Sequence, residues 1–465
     1  MSRQNGLCGK DVPLRGSRRN RERETLLMKI KKRINFSGMR KNFSAILLNT
    51  SDQRQAGKIG YSIHDAVMSG FACMYFQDPS LKAFQERLQD EKQMNNLRTI
   101  FNVEVIPGDT QLRTLVDELD SETFRPVFND VFARLQRGKL LEQYQLIPGY
   151  YYVAMDGSQY FSSDNIHCKN CLETRHSNGT VTYSHKVLMP AIMHPSLRQV
   201  IPLMPEEIRN SDGAAKQDCE INAAKRLLPK IKKDHPKLKM IIGGDDIYSR
   251  QPIICQILEN GWHFLFVAKS ESHPLLMQYL AKQTMDVKRL VDDKGNIHLY
   301  EWLNGVPLNG NAETVLVNYF SYKIISTDDA GNETIKHQNS WVTDIEVTEK
   351  NVAILVTGGR CRWKIENECF NTLKNQGYHI EHNYGHGEKN LCFNFLLLTL
   401  IAFSFHQILE CADKLFQACR KKFGSKWHMW ETLRAYIKIL VFDSWEHLLD
   451  FALYPPKYNP TISKA

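Results

Sequence analysis

The chain has 465 residues, of which 42% are hydrophobic and 24% charged, with 60 Lys and Arg against 51 Asp and Glu. A chain of this length exceeds what one hydrophobic core usually organises, and this composition excludes disorder throughout. The net charge of +9 favours a polyanionic partner such as nucleic acid, although a merely basic soluble protein accounts for composition alone equally well.

The cysteine usage and the N-terminus indicate the cellular setting. Eleven cysteines show no repeating spacing, and the N-terminus is charged where a secretory signal would be apolar. We therefore expect a reducing, cytoplasmic environment. The apolar stretch from Leu391 to Leu409 is interrupted by Asn394, Ser404 and His406, which predicts a buried helix and no membrane span.

Two N-terminal regions differ in pattern. Residues 1–42 carry thirteen Lys and Arg against three Asp and Glu. This predicts a basic flexible arm, bounded at 1–57, that contacts phosphates or is simply a solvated tail. Across 58–147 apolar residues recur every three or four positions, which predicts a small helical domain that either binds DNA or serves as a scaffold.

The pattern changes to an alternation of strands and helices near residue 148. The predicted elements are a strand in 151–161 that ends on Asp156, strands at 181–194 and 199–208, a helix at 214–235, a strand in 238–246 that ends on Asp245, a helix at 250–261 and a strand at 263–269. This order predicts an α/β core whose first part spans 148–271.

The remainder of the chain is predicted to interrupt and then complete this core. Short alternating runs separated by Gly, Asn and Asp turns predict a β-rich insertion at 272–356. Residues 357–388 would complete the core with a helix over 359–377 that ends at Gly377. Residues 389–465 predict a C-terminal helical region, with helices at 389–419 and 429–453.

Three carboxylates are candidates for a metal site. Asp156 and Asp245 each end a predicted strand, which is where open α/β sheets place ligand-binding residues. Neighbouring strand ends can share a hard cation through carboxylate oxygens, and Glu366 on the later helix could complete the set. Gly243 and Gly244 would let the backbone approach a bulky ligand. An Asp after a strand is more often a turn residue or a helix cap, so these residues alone leave the function open.

The order Asp156, Asp245 and Glu366, the β-rich insertion before the glutamate, and the segment RWKIENECFNTLK resemble the DDE transposases of bacterial insertion sequences. The resemblance covers roughly residues 60–410. It implies an RNase H-like core that cleaves double-stranded DNA at transposon ends and transfers the strand into target DNA. It also implies two Mg²⁺ ions on the three carboxylates, replaceable by Mn²⁺, and a homodimer associated with the bacterial nucleoid.

That family carries a Tyr, Arg, Glu and Lys signature on its last catalytic helix. Arg362 stands four residues before Glu366 on one helix face, so it would contact a DNA phosphate beside the metal-bound carboxylate. The family lysine corresponds to Lys374, one residue late, as a second phosphate contact. The tyrosine position holds Gly359, which leaves the tyrosine role unassigned.

Three residues beside these candidates have alternative roles. Asp246 competes with Asp245, and Glu368 competes with Glu366, as the metal ligand. Trp363 could stack on a flipped base, as the resemblance suggests for hairpin-forming relatives. Packing of this tryptophan against the sheet is the more ordinary interpretation.

Cysteines and histidines offer a second set of metal ligands. The residues, all within one predicted hairpin, are Cys168, Cys171, His176 and His185. Thiolates and imidazoles at such spacing suit a tetrahedral structural Zn²⁺ site, and reduced buried cysteines are the alternative. His379, His382 and His386 follow the catalytic helix and predict a loop near the DNA path rather than metal ligands.

We therefore expect a cut-and-paste DNA transposase. One alternative is a transposase-derived DNA-binding protein without nuclease activity. The other is a zinc-binding structural or nucleic-acid-binding protein in which the acidic residues serve as caps and turns.

Overall fold

In the described chain, helical regions precede and follow one large mixed sheet in the sequence. The computed structural model describes residues 34–52, 54, 60–88, 96–210, 217–310, 313–327, 332–382 and 384–456. Residues 1–33, most of the predicted basic arm, lie outside the described residues.

Helices precede the sheet. Those of the described chain are α1 (Phe36–Leu48), α2 (Ile63–Tyr75), α3 (Leu81–Leu88), α4 (Asn96–Phe101), α5 (Asp109–Glu118) and α6 (Arg125–Arg137). The prediction of a flexible arm over 1–57 is wrong for the α1 segment, which forms a helix. Asn35 caps this helix by accepting from Gly38 N at 2.8 Å, and Phe36, Met39 and Phe43 are buried. Burial of this apolar face explains why the segment is ordered.

Twelve strands of the described chain form one sheet. They are β1 (Gln145–Ile147), β2 (Tyr150–Ser163), β3 (Leu172–Arg175), β4 (Val181–Met193), β5 (Ile201–Pro202), β6 (Glu206–Ile208), β7 (Met240–Gly244), β8 (His263–Val267), β9 (Asp286–Val291), β10 (Ile297–Pro307), β11 (Leu316–Thr327) and β12 (Glu333–Thr343). Their order is β3-β4-β2-β7-β8-β12-β11-β10-β9, with β1 beside β2 and both β5 and β6 beside β4. The strand predicted at 199–208 is therefore two short strands.

The centre of the sheet is parallel. β7 pairs in parallel with β2 on one side and with β8 on the other, whereas β4 pairs antiparallel with β2. Parallel neighbours need a crossover connection. Helix α7 (Glu220–Asp234) leads into β7, and helix α8 (Gln251–Glu259) joins β7 to β8. All of β7 is buried, as expected for a strand covered on both faces.

The region predicted as a β-rich insertion extends the same sheet. Helix α9 (Pro274–Leu280) follows β8, and β9 to β12 then form an antiparallel meander. The last of these strands returns to pair with β8, with Trp341 opposite Val267. The chain thus leaves the core after β8, and β12 brings it back by pairing with that same strand.

Helices also follow the sheet. In the described chain they are α10 (Val352–Cys361), a π-helical turn (Ile365–Phe370), α11 (Asn371–Asn375), α12 (Leu391–Ala412), α13 (Lys414–Phe423), α14 (Lys426–Ile439) and α15 (Trp445–Leu453). The helix predicted at 389–419 is divided because Asp413 caps α13, accepting from Leu415 N and Phe416 N at 2.9 Å. The helix predicted at 429–453 is likewise divided, and Ser444 caps α15.

The α12 helix organises the helical part of the protein. It is long and apolar enough to cross a membrane by composition, yet 94% of its most apolar window is buried inside the protein. The predicted buried helix is confirmed. It packs against α2, α5 and α6. Phe71 and Phe405 lie 5.2 Å apart between ring centroids, and Phe36 and Trp445 lie 5.3 Å apart. The N-terminal and C-terminal helices therefore share one core.

A buried histidine at the end of α7 should make stability depend on pH. His235 packs against Phe132 with the rings tilted and 4.2 Å between ring centroids, and burial lowers the pKa of His235 to about 4. An unfolded histidine titrates near pH 6.5. The neutral imidazole therefore stabilises the fold fully above pH 6.5, and this contribution is lost as the pH falls from about 6.5 towards 4.

We expect the free energy of unfolding of the wild type to fall by up to about 3 kcal/mol more than that of His235→Leu between pH 7 and pH 4. Urea unfolding at a series of pH values measures this difference. His428→Leu, at an exposed position on α14, is the control and should follow the wild-type profile. Equal slopes for wild type and His235→Leu would contradict the assignment.

Candidate active site

Asp156 lies within β2, and Asp245 directly follows the neighbouring parallel strand β7. The last pair of these two strands sets Ala154 opposite Gly243, so Asp156 and Asp245 each stand two residues beyond that pair. Asp245 directly follows β7, but β2 continues beyond Asp156 to Ser163. The prediction that this strand ends at Asp156 is wrong, because the antiparallel pairing with β4 extends it.

Arg362 joins two of the predicted carboxylates. Its Nη1 donates to Glu366 Oε1 at 3.0 Å and lies 3.7 Å from Asp156 Oδ2. The arginine side chain is only 9% exposed, whereas Glu366 is 38% exposed. The four-residue step between arginine and glutamate therefore does place them together, and Arg362 links Glu366 to Asp156 on β2.

The segment that carries Glu366 departs from a regular helix. Helix α10 ends at Cys361, a turn begins at Arg362, and the π-helical turn precedes α11. The continuous helix predicted over 359–377 is thus interrupted, although the segment ends near Gly377, whose φ is +94°. Single π-helical turns within α-helices occur frequently at functional sites.

The alternative glutamate faces another space. Glu368 lines a cavity of ≈ 460 Å³ with Arg198, Gln407 and Lys426, near the C-terminal helices. Glu366 instead contacts the arginine that reaches Asp156. This geometry favours Glu366 over Glu368 as the partner of the two aspartates.

The two adjacent aspartates also have different surroundings. Lys269 Nζ lies 3.3 Å from Asp245 Oδ2 and 3.0 Å from Asp246 Oδ1. The Asp246 side chain is 8% exposed and also accepts from the Ser272 hydroxyl. Burial opposes the shift, but the hydrogen bonds from Ser272 and Lys269 lower the pKa of Asp246. Asp246 is thus committed to structural contacts, and Asp245, 31% exposed, is the more available ligand.

Asp156 lies in an environment that disfavours its charge. Burial raises the pKa of Asp156 to about 7, Arg362 opposes the shift, and Glu220 and Glu366 add to it. Loss of hydration on burial is therefore the main reason why the carboxyl group of Asp156 resists ionisation.

Glu220 is a fourth carboxylate, which the sequence analysis did not identify. It lies in the first turn of α7 and accepts from the Tyr248 hydroxyl at 3.0 Å. A Cβ atom on Gly157 would collide with its carboxylate, so the glycine after Asp156 makes room for it. An acidic residue in the first turn of a helix is common for reasons of helix electrostatics alone, so the sequence carried no specific signal.

The glycines before Asp245 serve packing. A Cβ atom on Gly243 would overlap the ring of Tyr152, and one on Gly244 would overlap the ring of Tyr248. Both tyrosines are fully buried. The glycines therefore accommodate neighbouring side chains, and not the bulky ligand that the sequence analysis assigned to them.

The rest of the signature lies apart from the aspartates or is replaced. Lys374, on α11, pairs with Glu381 at 2.7 Å. A Cβ atom on Gly359 would overlap the Trp341 indole, so this packing has no room for the family tyrosine. Trp363 is 51% exposed, and its predicted packing against the sheet is wrong. The Arg362 guanidinium carbon lies over the Trp363 ring, 5.2 Å from the ring centroid.

The structure brings together three of the four predicted cysteine and histidine ligands, with a different histidine as the fourth. The ligand atoms of Cys168, Cys171, His185 and His386 lie within 4.8 Å of one another and could hold a metal ion. His176 is instead exposed in the turn between β3 and β4, where its Nε2 lies 2.8 Å from Thr182 Oγ1. The hairpin carries His176 outward, and the chain after α11 supplies His386 in its place.

Comparisons with known proteins assign no family to the chain. No protein-family model matches it, and no curated protein matches it. Among solved structures it is weakly similar to the cryo-EM structure of a piggyBac transposase synaptic complex with hairpin DNA. The TM-score is 0.37 and the identity 10%, over 93% of this chain and 80% of that chain. A likeness of this strength decides neither the fold family nor the activity.

Substitution of Gly243 tests the packing that supports Asp245. Gly243→Ala should lower the free energy of unfolding by about 1–3 kcal/mol, because the buried Tyr152 ring cannot move aside without strain. Gly60→Ala is the control, since nothing lies within 4 Å of a Cβ atom there. Chemical denaturation measures both variants. A Gly243→Ala variant as stable as the control would contradict the close approach of Tyr152.

Proposed function

We propose that the protein is a DDE transposase, which cleaves DNA at transposon ends and transfers the freed 3′-hydroxyl strand into target DNA. The observation that carries the proposal is the position of the three predicted carboxylates around β2 and β7. Asp156 lies within β2, Asp245 directly follows the parallel strand β7, and Arg362 links Glu366 to Asp156.

The order of the central strands supports an RNase H-like core. An antiparallel pair, β2 with β4, continues into the parallel strands β7 and β8 through the helices α7 and α8. Open α/β sheets bind ligands beyond the carboxyl ends of such strands. Asp245 directly follows β7, Asp156 lies within the neighbouring β2, and the meander β9 to β12 precedes the segment that bears Glu366, as the bacterial insertion-sequence resemblance requires.

The donor set fits magnesium. Hard cations prefer oxygen ligands, and the three carboxylates provide them from rigid elements. Burial raises the pKa of Asp156 to about 7, and a bound cation would favour its ionised form. Asp156, Asp245 and Glu366 would hold two Mg²⁺ ions, or Mn²⁺ in their place. Such ions would activate the attacking oxygen and stabilise the leaving oxygen of in-line phosphoryl transfer.

The cationic side chains would take part in binding DNA. Arg362 holds Glu366 with a guanidinium that binds a phosphate as well as it binds a carboxylate. Once its carboxylates are engaged elsewhere, Arg362 would contact the DNA backbone. Lys374 would do the same after releasing Glu381. Lys269 pairs with both Asp245 and Asp246 and offsets part of their negative charge.

The proposal extends to the partners and the location of the protein. The net charge of +9 supports binding to double-stranded DNA. Coordinated cutting of two transposon ends requires two active sites, so we propose a homodimer on DNA. A bacterial cytoplasm, with the protein on the nucleoid, is the setting that this activity implies.

Cleavage of a labelled duplex that carries the terminal sequences of the protein's own element, in Mg²⁺ or Mn²⁺, tests the proposal. Asp156→Asn, Asp245→Asn and Glu366→Gln should each reduce cleavage by at least about 100-fold, the cost of losing one preorganised charge contact. Binding to the same duplex, measured by mobility shift, should persist in all three variants.

Glu368→Gln is the matched control, because Glu368 lies two residues from Glu366 but lines a different cavity. It should cut like the wild type. Loss of cutting in Glu368→Gln alone would assign the role of metal ligand to Glu368. Loss of cutting in Asp246→Asn but not in Asp245→Asn would likewise assign that role to Asp246. Binding by the wild type without any cutting would instead identify a DNA-binding protein derived from a transposase.

A further inference from the structure

Four potential metal ligands meet from three segments of the chain. Cys168 and Cys171 lie between β2 and β3, His185 lies on β4, and His386 lies between α11 and α12. His185 and His386 are 201 positions apart in sequence. A cluster that draws on such distant segments arises from the tertiary fold and not from local chain geometry.

The separations of the ligand atoms suit one tetrahedral ion. The two sulfurs are 3.9 Å apart, sulfur to nitrogen separations are 3.6, 3.4 and 3.5 Å, and the two Nε2 atoms are 3.2 Å apart. Tetrahedral Zn²⁺ with ordinary bond lengths places sulfurs about 3.8 Å apart, sulfur and nitrogen about 3.6 Å apart, and nitrogens about 3.3 Å apart. The ligands therefore fit zinc with shifts of a few tenths of an ångström.

The outer nitrogen of each histidine faces an acceptor. His386 Nδ1 lies 2.9 Å from the Gly387 carbonyl oxygen, at hydrogen-bond geometry, whereas His185 Nδ1 lies 3.3 Å from Glu207 Oε1 without hydrogen-bond geometry. Protons on both Nδ1 atoms would leave both Nε2 lone pairs directed into the cluster. Tyr160 donates to the same Glu207 oxygen at 2.8 Å, which fixes that carboxylate. Such outer contacts are typical of zinc-bound histidines.

We propose that Cys168, Cys171, His185 and His386 bind one structural Zn²⁺ ion. Four protein ligands leave no open coordination position, which distinguishes a structural from a catalytic zinc site. The ion would tie the strands next to Asp156 to the loop that follows the Glu366 segment. The proposal does not depend on DNA cleavage, because metal content and stability are measured without DNA.

The same loop has a second anchor, which shows what the ion would add. Asp117 Oδ1, at the end of α5, accepts from the backbone N of Lys389 and Asn390 at 3.0 Å and of Leu391 at 2.8 Å. These bonds hold the start of α12 to the helical part of the protein. Zinc at His386, a few residues earlier, would hold the same connection to the sheet. Together the two anchors would fix how the helical part meets the strands.

The metal content of the full-length protein, expressed with zinc in the medium and purified without chelator, is the test. We expect about one zinc per chain in the wild type, as a site built from four protein ligands binds its ion tightly. Cys168→Ser and His386→Gln should lose most of it. His176→Gln is the matched control, because His176 belongs to the same hairpin but lies outside the cluster, and it should keep the zinc of the wild type.

A second measurement uses the wild-type protein, so it remains valid even if a variant folds poorly. Wild-type protein stripped with a chelator and titrated with Co²⁺ should develop the visible absorption of tetrahedral cobalt with thiolate ligands, and Zn²⁺ should displace it. Chelation should also lower the melting temperature of the wild type and of His176→Gln. A wild type without zinc that gives no cobalt spectrum would overturn the site, and so would equal zinc loss in His176→Gln and His386→Gln.

Discussion

The parallel pairing of β2 with β7 is the constraint on which the rest of the site depends. Asp156 and Asp245 each stand two residues beyond the last pair of these strands, so two carboxylates separated by 89 positions in sequence lie on neighbouring strands. Parallel neighbours cannot be joined by a tight turn, and the crossover they require includes α7. That helix brings Glu220 next to Asp156. The acidity of the site is thus a consequence of strand direction as much as of residue choice.

Charge balance explains why the site is better suited to function than to stability. Arg362 is nearly buried between Asp156 and Glu366, and Lys269 is shared by Asp245 and Asp246. Two cations therefore serve five carboxylates, when Glu220 is included. A core selected for stability alone would avoid this excess, because unpaired buried charge is costly. Perturbed carboxylates in such a cluster are a recognised sign of a binding or catalytic site.

The sequence predicts the features that depend on local pattern. β7, α8 and the buried α12 follow from apolar runs, and the pairing of Arg362 with Glu366 follows from their spacing on a helix. Contacts between distant segments could not be predicted in this way. The continuation of β2 past Asp156 depends on β4, the meander joins the main sheet only through β8, and His386 reaches the cysteines from beyond α11. Trp363 was misjudged because an aromatic residue in a helix is usually buried.

The segment from α10 to α12 is fixed at both ends, which limits how Glu366 can move. Gly359 packs on the Trp341 indole at one end, and Asp117 holds the start of α12 at the other. Gly377 adds an intermediate restraint, since a Cβ atom there would meet the Gln77 side chain. A shift of the whole segment would disrupt all three contacts. If a metal ion replaced Arg362 at Glu366, as proposed, side-chain rotation within the π-helical turn would accommodate it most readily and would leave the backbone where the sheet and the helices hold it.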